Sequence, residues 1–245
     1  MLVTSHQVRR SVWGRVWPPR VIAERSRIHG ASGWSLRADA VALDVMRCGS
    51  GELVVFHEHT LAGFGGGRWD DVAQTPYATL KTMDVGGARI PLFAEALAAI
   101  VEHVPVTIRL RFAPTDGERE RAALAMNAFA IASQLGAADR VLFGATDGRA
   151  LDAIDADVET ALVIHGSAHT PRPPRRQPAV VELELPCADA AEVRRWQARG
   201  TAVHLWPANT TSQLAVAWSL RVDGVITTDP AFARRALDRL GRIAS

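Results

Sequence analysis

Two kinds of segment alternate along almost the whole chain: short runs rich in valine, isoleucine and leucine, and longer runs rich in alanine, leucine and arginine. The short runs predict buried strands, and the longer runs predict helices. Such alternation favours a parallel sheet with helices packed outside it. The predicted strands are residues 21–25, 41–45, 53–57, 106–111, 140–144, 161–164, 179–183, 202–206 and 223–227. The predicted helices include residues 93–102, 118–135, 148–154, 188–199, 212–220 and 231–240.

Nine predicted strands are one more than an eight-stranded α/β barrel needs. Only seven residues, 46–52, separate the second strand from the third. That link is too short for the crossover helix that joins parallel strands, so the third strand is predicted to be an extended companion of the second. Eight strands then remain for a TIM (β/α)₈ barrel. We expect residues 1–18 to form an N-terminal arm and residues 19–245 to form a single domain.

Composition narrows the classes of partner and compartment. The formal net charge of +2 gives no argument for binding nucleic acid. The longest apolar stretch, residues 122–138, is interrupted by four polar residues or glycines, so no transmembrane segment is expected. The basic N-terminus lacks the apolar core of a secretory signal. Cys48 and Cys187 lie far apart without metal-ligand spacing, which favours a reducing, cytoplasmic location.

Two strand ends carry polar chemistry. Asp44 lies at the end of the second predicted strand, and His57 ends the third. A carboxylate and a titratable imidazole at neighbouring strand ends predict a site at the mouth of the barrel.

Several segments, taken in order, resemble the glycerophosphodiester phosphodiesterase (GDPD) family. Ala42-Leu43-Asp44-Val45 is similar to the family pattern E-L-D-V, and Val54-Val55-Phe56-His57-Glu58 is similar to V-V-F-H-D. Residues 89–97 resemble R-I-P-T-L-E-E-x-L, and residues 222–230 resemble V-D-G-I-I-T-D-x-P. The similar segments run from about residue 19 to residue 237. The resemblance implies a TIM barrel that hydrolyses glycerophosphodiesters with the help of Mg²⁺ or Ca²⁺. It makes Asp44 a metal ligand and His57 an acid–base catalyst.

The same comparison shows departures from the family pattern. The catalytic histidine of the family's H-R-G triplet is replaced by Glu24, while the arginine is kept as Arg25. His29 is a candidate for a shifted substitute, but only 14 residues then separate it from Asp44. Even counted from Glu24, the link to the second barrel strand is short, so a shortened first βα link is expected.

Two metal-binding carboxylates of the family pattern are also replaced. Ala42 takes the place of the first glutamate, and the family's I-E-x-K segment is Ile108-Arg109-Leu110-Arg111 here. A guanidinium repels a divalent cation at short range, so Arg109 predicts a degraded metal site with weak or altered activity.

The arginines leave two interpretations open. Arg25, Arg109 and Arg111 are suited to bind a phosphate or another oxyanion without metal. Trp206 is then either the floor of that pocket or a residue of the core. Alternatively, Arg109 and Arg111 pair with Asp44, Glu24 or Glu184 in a buried ionic network.

Three functions therefore remain after the sequence is considered. The first is an active, divergent phosphodiesterase with His57 as the acid, with Glu24 or His29 as the base, and with Mg²⁺ or Ca²⁺. The second is a non-catalytic barrel that binds a phosphorylated or anionic small molecule without a cofactor. The third is a structural or partner-binding barrel without either activity.

Overall fold

The computed structural model describes residues 11–25, 37–61, 71–154, 157–166 and 172–243. Its strands are β1 Arg20–Arg25, β2 Ala40–Arg47, β3 Leu53–Val55, β4 Val106–Leu110, β5 Val141–Ala145, β6 Thr160–Ile164, β7 Val180–Glu184, β8 Ala202–Trp206 and β9 Gly224–Thr227. Its α-helices are α1 Tyr77–Leu80, α2 Phe93–Val101, α3 Glu118–Gln134, α4 Ala190–Gln197, α5 Thr211–Ser219 and α6 Pro230–Ile243. The predicted strands are all present, with ends shifted by one or two residues.

Eight of the strands form a closed parallel ring. Going round from β1, the order is β9, β8, β7, β6, β5, β4 and β2, and β2 pairs with β1 to close the circle. Every neighbouring pair in this ring is parallel. The predicted TIM barrel is therefore confirmed.

The remaining strand lies outside the ring. β2 continues past its pairing with β1, and its last three residues pair antiparallel with β3. The prediction that the third strand accompanies the second is therefore confirmed. The predicted shortening of the first βα link concerns residues 26–36, which lie outside the described residues.

Small side chains line the inside of the barrel at the amino-terminal ends of its strands. Ala40, Ala161 and Ala202 are buried there in one cluster with larger apolar side chains. The indole of Trp13 belongs to the same cluster and is fully buried, although it precedes β1 in the chain. Because Ala40 and Ala202 begin their strands, Trp13 fills the end of the barrel opposite the carboxyl ends of the strands.

The outer face of the sheet packs against the helices. One apolar cluster joins α2 and α3 to β2, β4 and β5, and a second joins α4, α5 and α6 to β7, β8 and β9. No helix in the described ranges is long and apolar enough to cross a membrane.

One predicted helix has a different geometry. Residues Gly148–Ala153 form a 3₁₀ helix that begins at the cap Asp147, whose side chain accepts a hydrogen bond from the amide of Arg149. A β-carbon on Gly148 would lie 2.4 Å from Cδ of Pro174, so this segment packs tightly against the segment that contains Pro174. The short helices at 72–74 and 77–80 were not predicted, because neither is long enough to show a helical repeat.

Candidate functional site

The carboxyl ends of the strands bring most of the predicted site residues together. Glu24 lies on β1, Asp44 on β2 and Arg109 on β4, while Trp206 ends β8. His57 lies two residues past the end of β3, near the other site residues because β3 returns alongside the end of β2. His29 and the side chain of Arg25 lie outside the described residues.

Glu24, Asp44 and His57 converge at one point. Each offers a ligand atom, and these atoms lie within 4.8 Å of one another. Asp44 is fully buried, and neither of its carboxylate oxygens has a hydrogen-bond partner among the described residues. Its nearest ion-pair contact is Nε of Arg111, 3.9 Å from Oδ1. A buried carboxylate without partners is costly, so this group fits a position where a cation is bound.

The strand register explains how a second carboxylate reaches this point. Ala42 stands where the family pattern has its first glutamate, and its direct partner on β1 is Glu24. Neighbouring residues at the same level of a parallel sheet lie about 4.8 Å apart between strands. Glu24 therefore places a carboxylate next to Ala42, the position where the family pattern has a glutamate and this chain has no carboxylate.

Arg109 forms the most strongly paired charge of the site. Its Nε donates to Oε2 of Glu182 at 2.6 Å, and its Nη1 donates to Oε1 of Glu24 at 3.1 Å. Burial by itself lowers the pKa of Arg109, but the charges of Glu182, Asp44 and Glu24 and the hydrogen bond to Glu182 raise it overall. The guanidinium therefore stays charged inside the barrel.

Glu182 is the functional neighbour that the sequence analysis missed. Its side chain is fully buried, and Oε1 accepts a hydrogen bond from the hydroxyl of Thr107 at 3.1 Å. Glu184, one of the three carboxylates expected to pair with the arginines, instead accepts from the backbone amide of Gly166. A charged residue inside the otherwise apolar run 179–183 is the sequence signal that could have identified Glu182.

Three N–H groups near the mouth have no acceptor in the described part of the chain. They are Nη2 of Arg109, Nε of Arg111 and Nε1 of Trp206, and all three atoms are buried. The guanidinium carbon of Arg109 lies 5.6 Å from the centre of the Trp206 ring, which is a cation–π distance. Buried donors of this kind suit the oxygens of a phosphate.

His57 is held by its chain neighbour. Its Nδ1 lies 3.2 Å from Oε1 of Glu58, and its side chain is partly exposed. The nearby His59 has a lowered pKa, because it is partly buried and because Arg111 adds positive charge. Of these two histidines, His57 is the one whose ring nitrogen lies close to the carboxylates of Glu24 and Asp44.

A second buried histidine lies deeper in the barrel. His204, on β8, is fully buried, and neither ring nitrogen has a partner within the described ranges. Burial, with smaller contributions from the charges of Arg20 and Arg109, lowers its pKa to about 3. Its ring lies 6.3 Å from that of Trp13, so a neutral imidazole separates the charged site from the apolar end.

Comparison with known proteins places this chain in a family. The family model described as "Glycerophosphoryl diester phosphodiesterase family" matches residues 31–231. No curated protein is similar in sequence to this chain.

Solved structures share the fold at low sequence identity. A protein of Silicibacter pomeroyi DSS-3, whose name is that of a glycerophosphoryl diester phosphodiesterase, superposes with a TM-score of 0.81 at 19% identity. The superposition covers 93% of this chain and 96% of that protein. A phosphodiesterase of Oleispira antarctica, solved with the product sn-glycerol-3-phosphate, has a TM-score of 0.73 at 22% identity, over 90% and 97% of the two chains. A glycerophosphodiester phosphodiesterase of Parabacteroides distasonis ATCC 8503 has a TM-score of 0.76 at 13% identity, over 91% and 98%.

The matched range covers most of the chain, including Asp44, His57, Arg109 and Trp206. This chain belongs to the glycerophosphoryl diester phosphodiesterase family.

Proposed function

We propose that this chain is a divergent phosphoric diester hydrolase that acts on glycerophosphodiesters with the help of a divalent cation, in glycerol and lipid metabolism. The observation that carries the proposal is Asp44, a fully buried carboxylate with two unpartnered oxygens beside Glu24 and His57. Family membership supplies the reaction class, and this carboxylate supports a working cation site despite the replaced motif residues.

The cation would be held by Asp44 and Glu24, with His57 close enough to take part. When bound, a dication polarises the phosphoryl group and offsets the negative charge that develops on its oxygens. The resemblance favours Mg²⁺ or Ca²⁺ in this role. Arg109 lies close to this position, but its charge is matched by the buried carboxylate of Glu182 at 2.6 Å.

The phosphate of the substrate would be bound by arginines. Arg111 and Arg109 each carry a buried N–H without an acceptor in the described structure, and Trp206 adds an indole N–H. Arg25 joins them in the proposal because it keeps the arginine of the family triplet. The Oleispira antarctica relative, solved with sn-glycerol-3-phosphate, supports a substrate whose phosphate carries a glycerol.

Two roles are open to His57, and they exclude one another. It can protonate the departing alcohol, as the resemblance implies, or it can bind the cation through the ring nitrogen that Glu58 does not contact. Either Glu24 or His29 is the base of the proposed acid–base set, and the role falls to His29 where Glu24 holds the cation.

A second function rests on Arg109. Its two ion pairs with Glu24 and Glu182 place a permanent positive charge where the family pattern has a carboxylate. A barrel with that charge can bind a phosphorylated small molecule without cation or hydrolysis.

The test is hydrolysis of glycerophosphocholine by purified protein, followed through release of sn-glycerol 3-phosphate. We expect turnover with an added divalent cation, its loss with a chelator, and a fall of at least about 100-fold in kcat/KM for Asp44→Asn, or about 3 kcal/mol of transition-state stabilisation. Asp238→Asn, an exposed substitution on α6, is the matched control and should keep full activity.

The opposite result favours the second function. Under it, no cation supports turnover, while sn-glycerol 3-phosphate raises the melting temperature of the wild type but not that of Arg111→Ala.

A further inference from the structure

The atoms that converge at the mouth form a mixed ligand set. Glu24 and Asp44 offer carboxylate oxygens, whereas His57 offers an imidazole nitrogen, all within 4.8 Å. Sets made only of oxygen suit Mg²⁺ and Ca²⁺, and imidazole suits zinc and other first-row transition metals. We infer that the cation of this site is Zn²⁺ or a similar transition-metal dication, with His57 as a ligand. The inference rests on the proposed function for the existence of a cation site.

The number of ligands supports the same ion. Ca²⁺ takes about six to eight oxygens, and Mg²⁺ demands a nearly regular octahedron. Ala42 and Arg109 occupy the two positions where the family pattern has further carboxylates, and neither side chain offers an oxygen. Catalytic Zn²⁺ sites, by contrast, use about three protein ligands and leave one position for water or substrate. Glu24, Asp44 and His57 meet that smaller requirement.

The contact between His57 and Glu58 leaves His57 able to act as a metal ligand. Its Nδ1 pairs with Oε1 of Glu58 at 3.2 Å, which leaves Nε2 for a cation. Metal-bound histidines nearly always have such a carboxylate or carbonyl on the other nitrogen, because it fixes the ring and makes the ligand more basic. A carboxylate orients an acid–base histidine in the same way, so this contact fixes the ring for either role and leaves Nε2 free for the cation.

The local charge also allows a dication. Asp44, Glu24 and the fully buried Glu182 contribute three negative charges, and Arg109, which pairs with both Glu24 and Glu182, offsets one of them. Nε of Arg111 is 3.9 Å from Asp44, and 27% of this side chain is exposed, so it can turn toward solvent or a phosphate. The unpartnered oxygens of Asp44 then face a cation without an internal competitor at hydrogen-bond distance.

The experiment measures binding, not turnover. Untagged protein carrying Cys187→Ser, which removes a partly exposed thiol that would itself bind zinc, is stripped with a chelator and titrated with Zn²⁺, Mg²⁺ and Ca²⁺ in a calorimeter. We expect one equivalent of Zn²⁺ to bind at least about 100-fold more tightly than Mg²⁺ or Ca²⁺. A Co²⁺ titration followed by visible absorption should show the same single site.

Substitutions locate the ligands. His57→Ala and Asp44→Asn should each lower Zn²⁺ affinity by at least about 100-fold, and Glu58→Gln by about 10-fold. His103→Ala removes an exposed histidine elsewhere on the surface and should leave the affinity unchanged. Circular dichroism checks that each variant is folded, and His57→Gln replaces His57→Ala if the latter does not fold.

The outcomes separate this inference from the proposed function. Tighter binding of Mg²⁺ or Ca²⁺, or Zn²⁺ binding that survives the loss of His57, would overturn the inference while leaving hydrolysis open. One-to-one Zn²⁺ binding through His57, with no turnover under any cation, would uphold it and defeat the proposed hydrolysis. If no dication binds at all, the inference is wrong.

Discussion

At the scale of single residues, Arg109 shows how the interior of the barrel tolerates a charge. The side chain is almost fully buried, yet its guanidinium has two carboxylate partners, Glu182 and Glu24. Buried ion pairs of this kind need not stabilise a fold overall, but the loss of one partner strands the other charge. Arg109 and its carboxylate partners are therefore best described as charges that neutralise one another inside the barrel.

This arrangement predicts a strong effect on stability. Arg109→Met should lower the free energy of unfolding by about 3–5 kcal/mol, because Glu182 is left buried and unpaired. The double variant Arg109→Met/Glu182→Gln should recover most of that loss, since glutamine is neutral and keeps an oxygen for Thr107. Urea unfolding of the single and double variants measures both values.

A surface pair provides the control. Arg195 contacts Glu192 within α4 and is about half exposed, so Arg195→Met should cost less than about 1 kcal/mol. A double variant that is as unstable as Arg109→Met alone would contradict the neutralisation argument.

At the scale of elements, the packing of β8 against β9 depends on one glycine, Gly224. A β-carbon on Gly224 would lie 2.6 Å from Cδ2 of His204, so the imidazole fits inside the barrel only because this position has no side chain. The register pairs these two residues directly across neighbouring strands.

Gly224→Ala should therefore destabilise the barrel by about 1–3 kcal/mol through overpacking. The same substitution should cost less in a His204→Ala background, because the clashing ring is gone. Thermal or urea unfolding of the four proteins in this cycle gives the interaction energy.

Gly14→Ala is the control for the glycine effect. A β-carbon there would lie 3.5 Å from its nearest neighbour, the carbonyl oxygen of Ser11, which is ordinary van der Waals contact. Equal losses from Gly224→Ala with and without the His204 ring would show that the clash is not the cause.

Elements were also the scale at which the sequence was most informative. The strands follow from buried β-branched runs, and the position of β3 follows from a link too short for a helix. Partners across the barrel could not be read in the same way. Glu182 meets Arg109 from a position 73 residues further along the chain, and only ring closure and register bring them together. The pairing of Glu24 with Ala42 likewise depends on register, which the motifs do not contain.

At the scale of the whole molecule, the two ends of the barrel are different in kind. Polar and charged side chains gather at the carboxyl ends of the strands, whereas Trp13 and small apolar residues fill the other end. His204 lies between them and stays neutral, because burial lowers its pKa to about 3. The barrel therefore has one polar end that carries the candidate site and an opposite end whose interior is apolar and packed.

Trp13 fills the apolar interior at one end of the barrel, so we expect it to contribute to stability although it precedes the first strand. Trp13→Ala should lower the free energy of unfolding by about 3–5 kcal/mol, since a large side chain is removed from a closed apolar site. Trp17→Ala, at a position that is 41% exposed, should cost clearly less. Chemical denaturation followed by circular dichroism compares them, and equal losses would mean that Trp13 does not fill the barrel as described.

The register of β1 against β2 also affects how members of this family are judged from aligned sequences. A column-by-column survey would record a glutamate lost at Ala42 and a histidine lost at Glu24, and would set the chain aside as inactive. The two positions are direct neighbours in the sheet, so the same facts describe a carboxylate moved by one strand. Relatives that appear to lack ligands are better sorted by which acidic residues are neighbours across the barrel than by which columns they occupy.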